Sequence, residues 1–138
     1  MQLFFQFVSQ QWYWFGLLSL LAAALMWYES RKAGPQVSPA QLSMLVNNEN
    51  ALVLDVRPDK EFRKGHIVGA LNVPYNQLND RIDQLDKHKD QPVVIVCKMG
   101  QTTGSVAKRL RARGFEKVYR LNGGMMEWSS SQMPVVKS

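Results

Sequence analysis

The distribution of apolar and polar positions divides the chain into two dissimilar parts. Residues 3–28, "LFFQFVSQQWYWFGLLSLLAAALMWY", are apolar or uncharged throughout, and no charged side chain occurs before Glu29. From there on, short apolar runs alternate with amphipathic stretches. "SPAQLSMLVNNE" predicts a helix with Ser38 as N-cap and Pro39 in its first position. "ALVLDV" predicts a short buried strand, "PDKEFRKGH" a helical turn ending near Gly65, and "ALNVP" a brief strand stopped by Pro74. In "YNQLNDRIDQLDKH", Leu78, Ile82 and Leu85 recur at helical spacing with charge on the other face. "PVVIVC" is a continuous apolar run of the kind found in strands buried on both faces. "TGSVAKRLRARGF" predicts a helix that turns Val106, Ala107 and Leu110 inward and stops at Gly114. "KVYRL" predicts a last strand and "GGMMEWSSS" a last short helix. Strands that alternate with helices predict an α/β fold: a mostly parallel sheet with helices on both faces.

The N-terminal stretch changes this picture. As a helix, Trp12 to Tyr28 would be roughly 25 Å long at about 1.5 Å per residue. If Phe4–Val8 continue the same helix, it would cross a bilayer core of roughly 30 Å with some tilt. Trp12, Tyr13 and Trp14 at one end, and Trp27 and Tyr28 at the other, are residues that settle at a membrane interface. A core helix would need a polar face, and a secretory signal peptide would carry Lys or Arg ahead of its apolar part, although "LAAALM" offers small residues for cleavage. The expectation is therefore one N-terminal transmembrane helix: an anchor over residues 1–28, touching the bilayer through residues 4–28, a linker over 29–36 broken by Gly34 and Pro35, and a domain over 37–138. Arg31 and Lys32 directly after the span predict a single-pass protein of the inner (cytoplasmic) membrane, N-terminus outside and domain in the cytoplasm.

With 138 residues, the chain has room for one domain with a real core and not for two. The formal net charge of +6 is compatible with nucleic acid, anionic lipid or a small anionic substrate. Lys108, Arg109, Arg111 and Arg113 crowd one helix without the interleaved aromatics of a single-strand binder, so no nucleic acid is expected there; a solvated face or one turned to anionic lipid is. A single cysteine excludes an internal disulfide, and with two distant histidines it gives no metal-ligand spacing, so neither metal nor cofactor is expected.

That cysteine, Cys97, stands where the most apolar strand ends and the polar loop "KMGQTT" begins. Ligand sites of open α/β sheets lie beyond the carboxyl ends of the strands. Lys98, Met99, Gly100, Gln101, Thr102 and Thr103 can curl so that backbone N–H groups face the sulfur, with Gly100 permitting the tight turn. The helix that begins near Thr103 adds the partial positive charge of its N-terminus, and Lys98 adds a formal one. Such a loop would favour a thiolate and hold an anion over it. A lone cysteine is otherwise commonly a small buried hydrophobe, which needs neither the loop nor the helix. Asp55 and Arg57 follow another strand end and read as a buried ion pair or as charges that orient the loop. His66 reads as a base or as a histidine satisfied by local backbone.

"CKMGQT" resembles the active-site loop of the rhodanese family, most often C-x-x-G-x-R. "LDVRPDKEFRKGHIVGALNVP" is similar to that family's upstream signature, and "VYRLNGGMMEW" to its closing one. The three blocks stand in family order over about residues 37–136. A membrane span ahead of a single such domain also resembles a group of small bacterial proteins. The resemblance implies a rhodanese-like fold and sulfur transfer. On that resemblance Cys97 would be the catalytic nucleophile, residues 98–103 the substrate cradle, a small anionic donor such as thiosulfate would supply the sulfur, and a thiol or cyanide-like nucleophile would accept it. Thr102 departs from the usual arginine, although some thiosulfate-using members also end the loop in threonine. The C-x5-R loop of phosphatases on this fold is absent, because Thr103 stands where its arginine would be. The alternative is a membrane-tethered interaction module with little turnover, for which a membrane-protein partner is compatible with the tether.

Overall fold

The structure, a computed structural model, describes residues 1–32 and 34–137. Ala33 of the expected linker and Ser138 at the end of the expected domain lie outside the described residues. The chain divides into two units, Met1–Arg31 and Lys32–Ser138.

The first unit differs from the expected single span. Helix α1 covers Gln2–Gln10 and helix α2 covers Trp12–Lys32, with a break at Gln11. Phe4–Val8 therefore do not lengthen α2. Within α2, the stretch free of Trp, Tyr and charge runs only from Phe15 to Met26, about 18 Å at about 1.5 Å per residue, well short of a bilayer core of roughly 30 Å. Among the described residues no helix is long and apolar enough to cross a membrane, so the expected N-terminal transmembrane helix is not found. Helix α2 also runs through Glu29–Lys32, residues expected in the linker.

The second unit is the α/β fold that the alternation predicts. Among the described residues its sheet has five strands: β1 (Gln36–Val37), β2 (Leu52–Asp55), β3 (Leu71–Asn72), β4 (Val93–Val96) and β5 (Val118–Leu121). Their order is β1-β5-β4-β2-β3, and every pair is parallel. β1 begins at Gln36, the last residue of the expected linker. It forms because Gly34, at a φ of 85° that favours glycine, turns the chain while its carbonyl accepts hydrogen bonds from Arg120 of β5.

Side-chain alternation along β4 sets the two layers of core. Val93, Ile95 and Cys97 share one face with Leu54 and Val56, beneath Val106, Ala107 and Leu110 of helix α6 (Thr103–Ala112). Val94 and Val96 share the other with Val53, under Leu42 of α3 (Pro39–Glu49) and Trp128 of α7 (Gly124–Ser130). Helix α3 starts at a complete capping box, in which Ser38 and Gln41 bond each other's backbone N–H, a device typically contributing about 1 kcal/mol.

The stretch read as one amphipathic helix is tighter and broken: a 3-10 turn at Tyr75–Gln77, a short helix α5 (Leu78–Arg81) and a 3-10 run at Ile82–His88. Leu78, Ile82 and Leu85 are buried as the spacing predicts, because one face still meets the sheet. Arg113 ties α6 to this run through Asp83 and Asp86, and its hydrogen bond holds the Asp86 carboxyl below the usual carboxylate range.

The topology fixes where a ligand can sit. From β2 the chain steps outward to β3, and from β4 it steps the opposite way to β5, so a crevice opens between the carboxyl ends of β2 and β4. Cys97 and the Asp55–Arg57 turn stand there.

Candidate active site

Cys97 is the first residue past β4, buried except for a few per cent of its surface. Its backbone is fixed from below. The carbonyl of Cys97 accepts from the N–H of Met125 at 2.8 Å, and that of Lys98 from the N–H of Met126 at 3.0 Å. This contact requires Gly124: its φ is 58°, and a Cβ there would run into the Cys97 carbonyl oxygen and lie 2.8 Å from the Lys98 carbonyl. The paired glycines of "NGGMM" thus bring the start of α7 against the peptide that carries the thiol.

The loop closes above the sulfur. Gly100, at a φ of 92°, points its N–H at Cys97 Sγ from 2.7 Å. The Thr103 hydroxyl donates to the Gly100 carbonyl at 2.9 Å, locking the turn to the first residue of α6, whose opening N–H groups have no helical partners. Gln101 folds inward. Its Oε1 accepts from the Met99 N–H at 3.1 Å and stands 3.6 Å from Sγ, where it accepts from the thiol. The side-chain amide thus occupies a backbone donor that a bound anion would use.

A cavity of about 260 Å³ opens over the sulfur, lined by Cys97, Lys98, Gln101 and Thr102 from the loop and by Val56, Arg57, Pro58, Glu61 and Tyr75 from across the crevice. The six loop positions marked in the sequence divide here into different tasks. Lys98, Gln101 and Thr102 line the cavity, Gly100 supplies its N–H to sulfur, Thr103 is buried as a brace, and Met99 is exposed with its N–H bonded to Gln101. Met126 is also exposed, whereas Met125 belongs to the core.

Asp55 and Arg57 form a buried pair beside this cavity. Arg57 Nε lies 3.0 and 3.1 Å from the two carboxylate oxygens and Nη2 2.7 Å from the second, while Nη2 also donates to the Gly65 carbonyl. Asn72 donates to the carbonyls of Asp55 and Arg57, which fixes the turn after β2. Removing one member of such a pair typically costs roughly 3–5 kcal/mol, because the other charge is left buried and unpaired. His66 does not line the cavity. Its Nδ1 bonds the Phe62 carbonyl at 2.8 Å, its ring stacks on Phe62, and its backbone bridges to Val136.

Sequence reasoning did not single out Glu61 or Tyr75, which face Cys97 from distant parts of the chain. Tyr75 is held by its hydroxyl against Ser105 and lies under the Arg109 guanidinium. Only the position of "PDKEF" and "PYN" just after strand ends hinted at them.

Comparison with known proteins matches residues 38–131 to the Rhodanese-like domain, and the chain belongs to that family. It is 33% identical over 102 residues to the uncharacterized protein YibN of Escherichia coli K12, covering 73% of this chain and 71% of that one. It is 29% identical over 100 residues to the thiosulfate sulfurtransferase GlpE of Glaesserella parasuis, 72% of this chain and 91% of that one. The crystal structure of the Alr3790 protein of Anabaena superposes with a TM-score of 0.66 at 27% identity, covering 74% of this chain and 82% of that one.

The inward fold of Gln101 generates a prediction. Gln101→Ala removes the acceptor that holds the thiol proton and frees the Met99 N–H. Alkylation of Cys97 by iodoacetamide at neutral pH should quicken about threefold to tenfold, the equivalent of one neutral hydrogen bond at roughly 1 kcal/mol. An unchanged or slower rate would show that the amide does not shield the sulfur.

Proposed function

We propose that the protein is a sulfurtransferase that carries sulfane sulfur as a persulfide on Cys97. The observation that carries this reading is the Gly100 N–H aimed at Sγ inside a loop that opens onto a cavity. The Cys97 thiolate attacks the outer sulfur of a donor such as thiosulfate. The donor's S–S bond breaks and sulfite leaves with the electron pair. The terminal persulfide sulfur takes the place vacated by the Gln101 amide, where Met99 and Gly100 N–H groups stabilise its charge. A nucleophilic acceptor then attacks that sulfur and Cys97 leaves as thiolate, which completes a covalent, two-step transfer. Lys98 is the cation nearest in sequence to the sulfur. Thr102 contributes a hydroxyl but no charge, which makes anion binding weaker than an arginine would.

A second reading, a binding module with little turnover, rests on that uncharged Thr102. Turnover separates the two.

The N-terminal unit supports a further part of the proposal. Its large apolar side chains from Leu3 to Tyr28 are exposed, and an all-round apolar helix needs a nonaqueous neighbour. We take that neighbour to be lipid. Arg31 and Lys32 beside it suit the anionic cytoplasmic leaflet of the inner membrane, which would leave the domain in the cytoplasm, where small thiols keep Cys97 reduced.

Incubation with thiosulfate should raise the intact mass of the wild type by one sulfur and leave Cys97→Ser unchanged, and cyanide should discharge the adduct as thiocyanate. A variant that transfers sulfur as fast as the wild type would remove Cys97 from the mechanism. Thr102→Arg should lower the apparent Michaelis constant for thiosulfate about fivefold to tenfold, as expected for a charged in place of a neutral hydrogen bond. No change would show that the side chain at this position turns away from the donor. A membrane-impermeant thiol reagent should leave Cys97 unlabelled in intact cells and label it fully after lysis and denaturation. Labelling before lysis would overturn the cytoplasmic assignment.

A further inference from the structure

A second cavity, of about 380 Å³, adjoins the one over the sulfur and has no part in the donor chemistry described so far. Arg57, Glu61 and Lys98 line both, so the two volumes meet along a charged rim beside Cys97. The far wall comes from Lys64, Met125, Ser129 and Val135. Glu61 and Lys64 are three residues apart on α4 (Asp59–Lys64), and Met125 and Ser129 four apart on α7, so each helix presents one face to the cavity. Arg57 Nε and Nη2 are committed to Asp55 and Gly65, and beside that pair the cavity's charged side chains are two lysines and one glutamate.

Resting on the sulfur-transfer reading, we infer that this cavity is the acceptor site and that it takes a small zwitterionic thiol carrying a carboxylate and an ammonium group. The two lysines suit the carboxylate, and Glu61 at the rim suits the ammonium. Met125 and Val135 give apolar contact to the carbon chain, and Ser129 offers a hydroxyl. A thiol anchored in this way approaches the persulfide across the shared rim. Its thiolate attacks the outer sulfur, the Cys97 S–S bond breaks, and Cys97 keeps the electron pair. The product is the acceptor's persulfide, and no outside oxidant or reductant is needed.

The test loads the full-length protein with sulfur from thiosulfate, verifies the persulfide by intact mass, and follows its discharge to three thiols. L-Cysteine carries both charges, 2-aminoethanethiol lacks the carboxylate, and 3-mercaptopropionate lacks the ammonium. L-Cysteine should half-saturate at the lowest concentration. Lys64→Ala should raise the half-saturating concentration about threefold to tenfold for the two carboxylate-bearing thiols and leave that for 2-aminoethanethiol the least affected. Glu61→Gln should do the reverse, weakening the two ammonium-bearing thiols relative to 3-mercaptopropionate. Equal half-saturation by all three thiols, or variants that shift all three alike, would overturn the acceptor site while leaving persulfide formation standing. Absence of the persulfide itself would instead overturn the sulfur-transfer reading, and this inference with it.

Discussion

The site depends on one backbone contact, the docking of the Cys97–Lys98 peptide on the first residues of α7. The carbonyls of Cys97 and Lys98 are held by the N–H groups of Met125 and Met126, and only a glycine at position 124 lets the two backbones approach. With those carbonyls turned down, the following N–H groups of the loop turn up, and one of them meets the sulfur. The strand end thus converts a buried cysteine into a thiol at the floor of a donor-lined cradle. A side chain at position 124 would disturb both the fold and the chemistry, because the same hydrogen bonds serve both.

The other side of the crevice is held by a different interaction. The Asp55–Arg57 pair is buried and joined through Nε and Nη2, with Asn72 fastening the surrounding backbone. Its charges largely neutralise each other, so the electrostatics over the sulfur are left to Lys98, Glu61 and backbone dipoles. This division of labour explains how Thr102 can stand at the loop's end without leaving the cavity uncharged. It also explains why a chain with a net charge of +6 presents a site of mixed rather than uniformly positive sign.

Much of this was legible in the chain. The run "PVVIVC" is of the kind found in strands buried on both faces, and β4 is such a strand. Ser38 and Pro39 spell a helix start, and Gly114, at a φ of 102°, a helix stop. The cysteine followed by a glycine loop and a helix marked the candidate site before any coordinates. Other parts were not legible, for physical reasons. β1 has only Gln36 and Val37, too few for a period, and it exists because β5 offers a free edge. The tight 3-10 run at Ile82–His88 keeps the apolar spacing of an α-helix, so pattern alone does not separate them. Break of the N-terminal helix at Gln11 is a local backbone event inside an uncharged sequence, and it removes the length on which a membrane span depended. Glu61 and Tyr75 reach the cavity through tertiary packing, which spacing does not encode.

The central claim is that the loop's own N–H groups stabilise a sulfur bound to Cys97. Backbone amide spectra of isotopically labelled protein test it most directly. Addition of thiosulfate should move the Met99 and Gly100 amide resonances downfield, as their protons engage the charged outer sulfur, and cyanide should return them to their starting positions. If the persulfide forms by mass while these two resonances stay still, the cradle does not hold the sulfur and the account of the site is wrong.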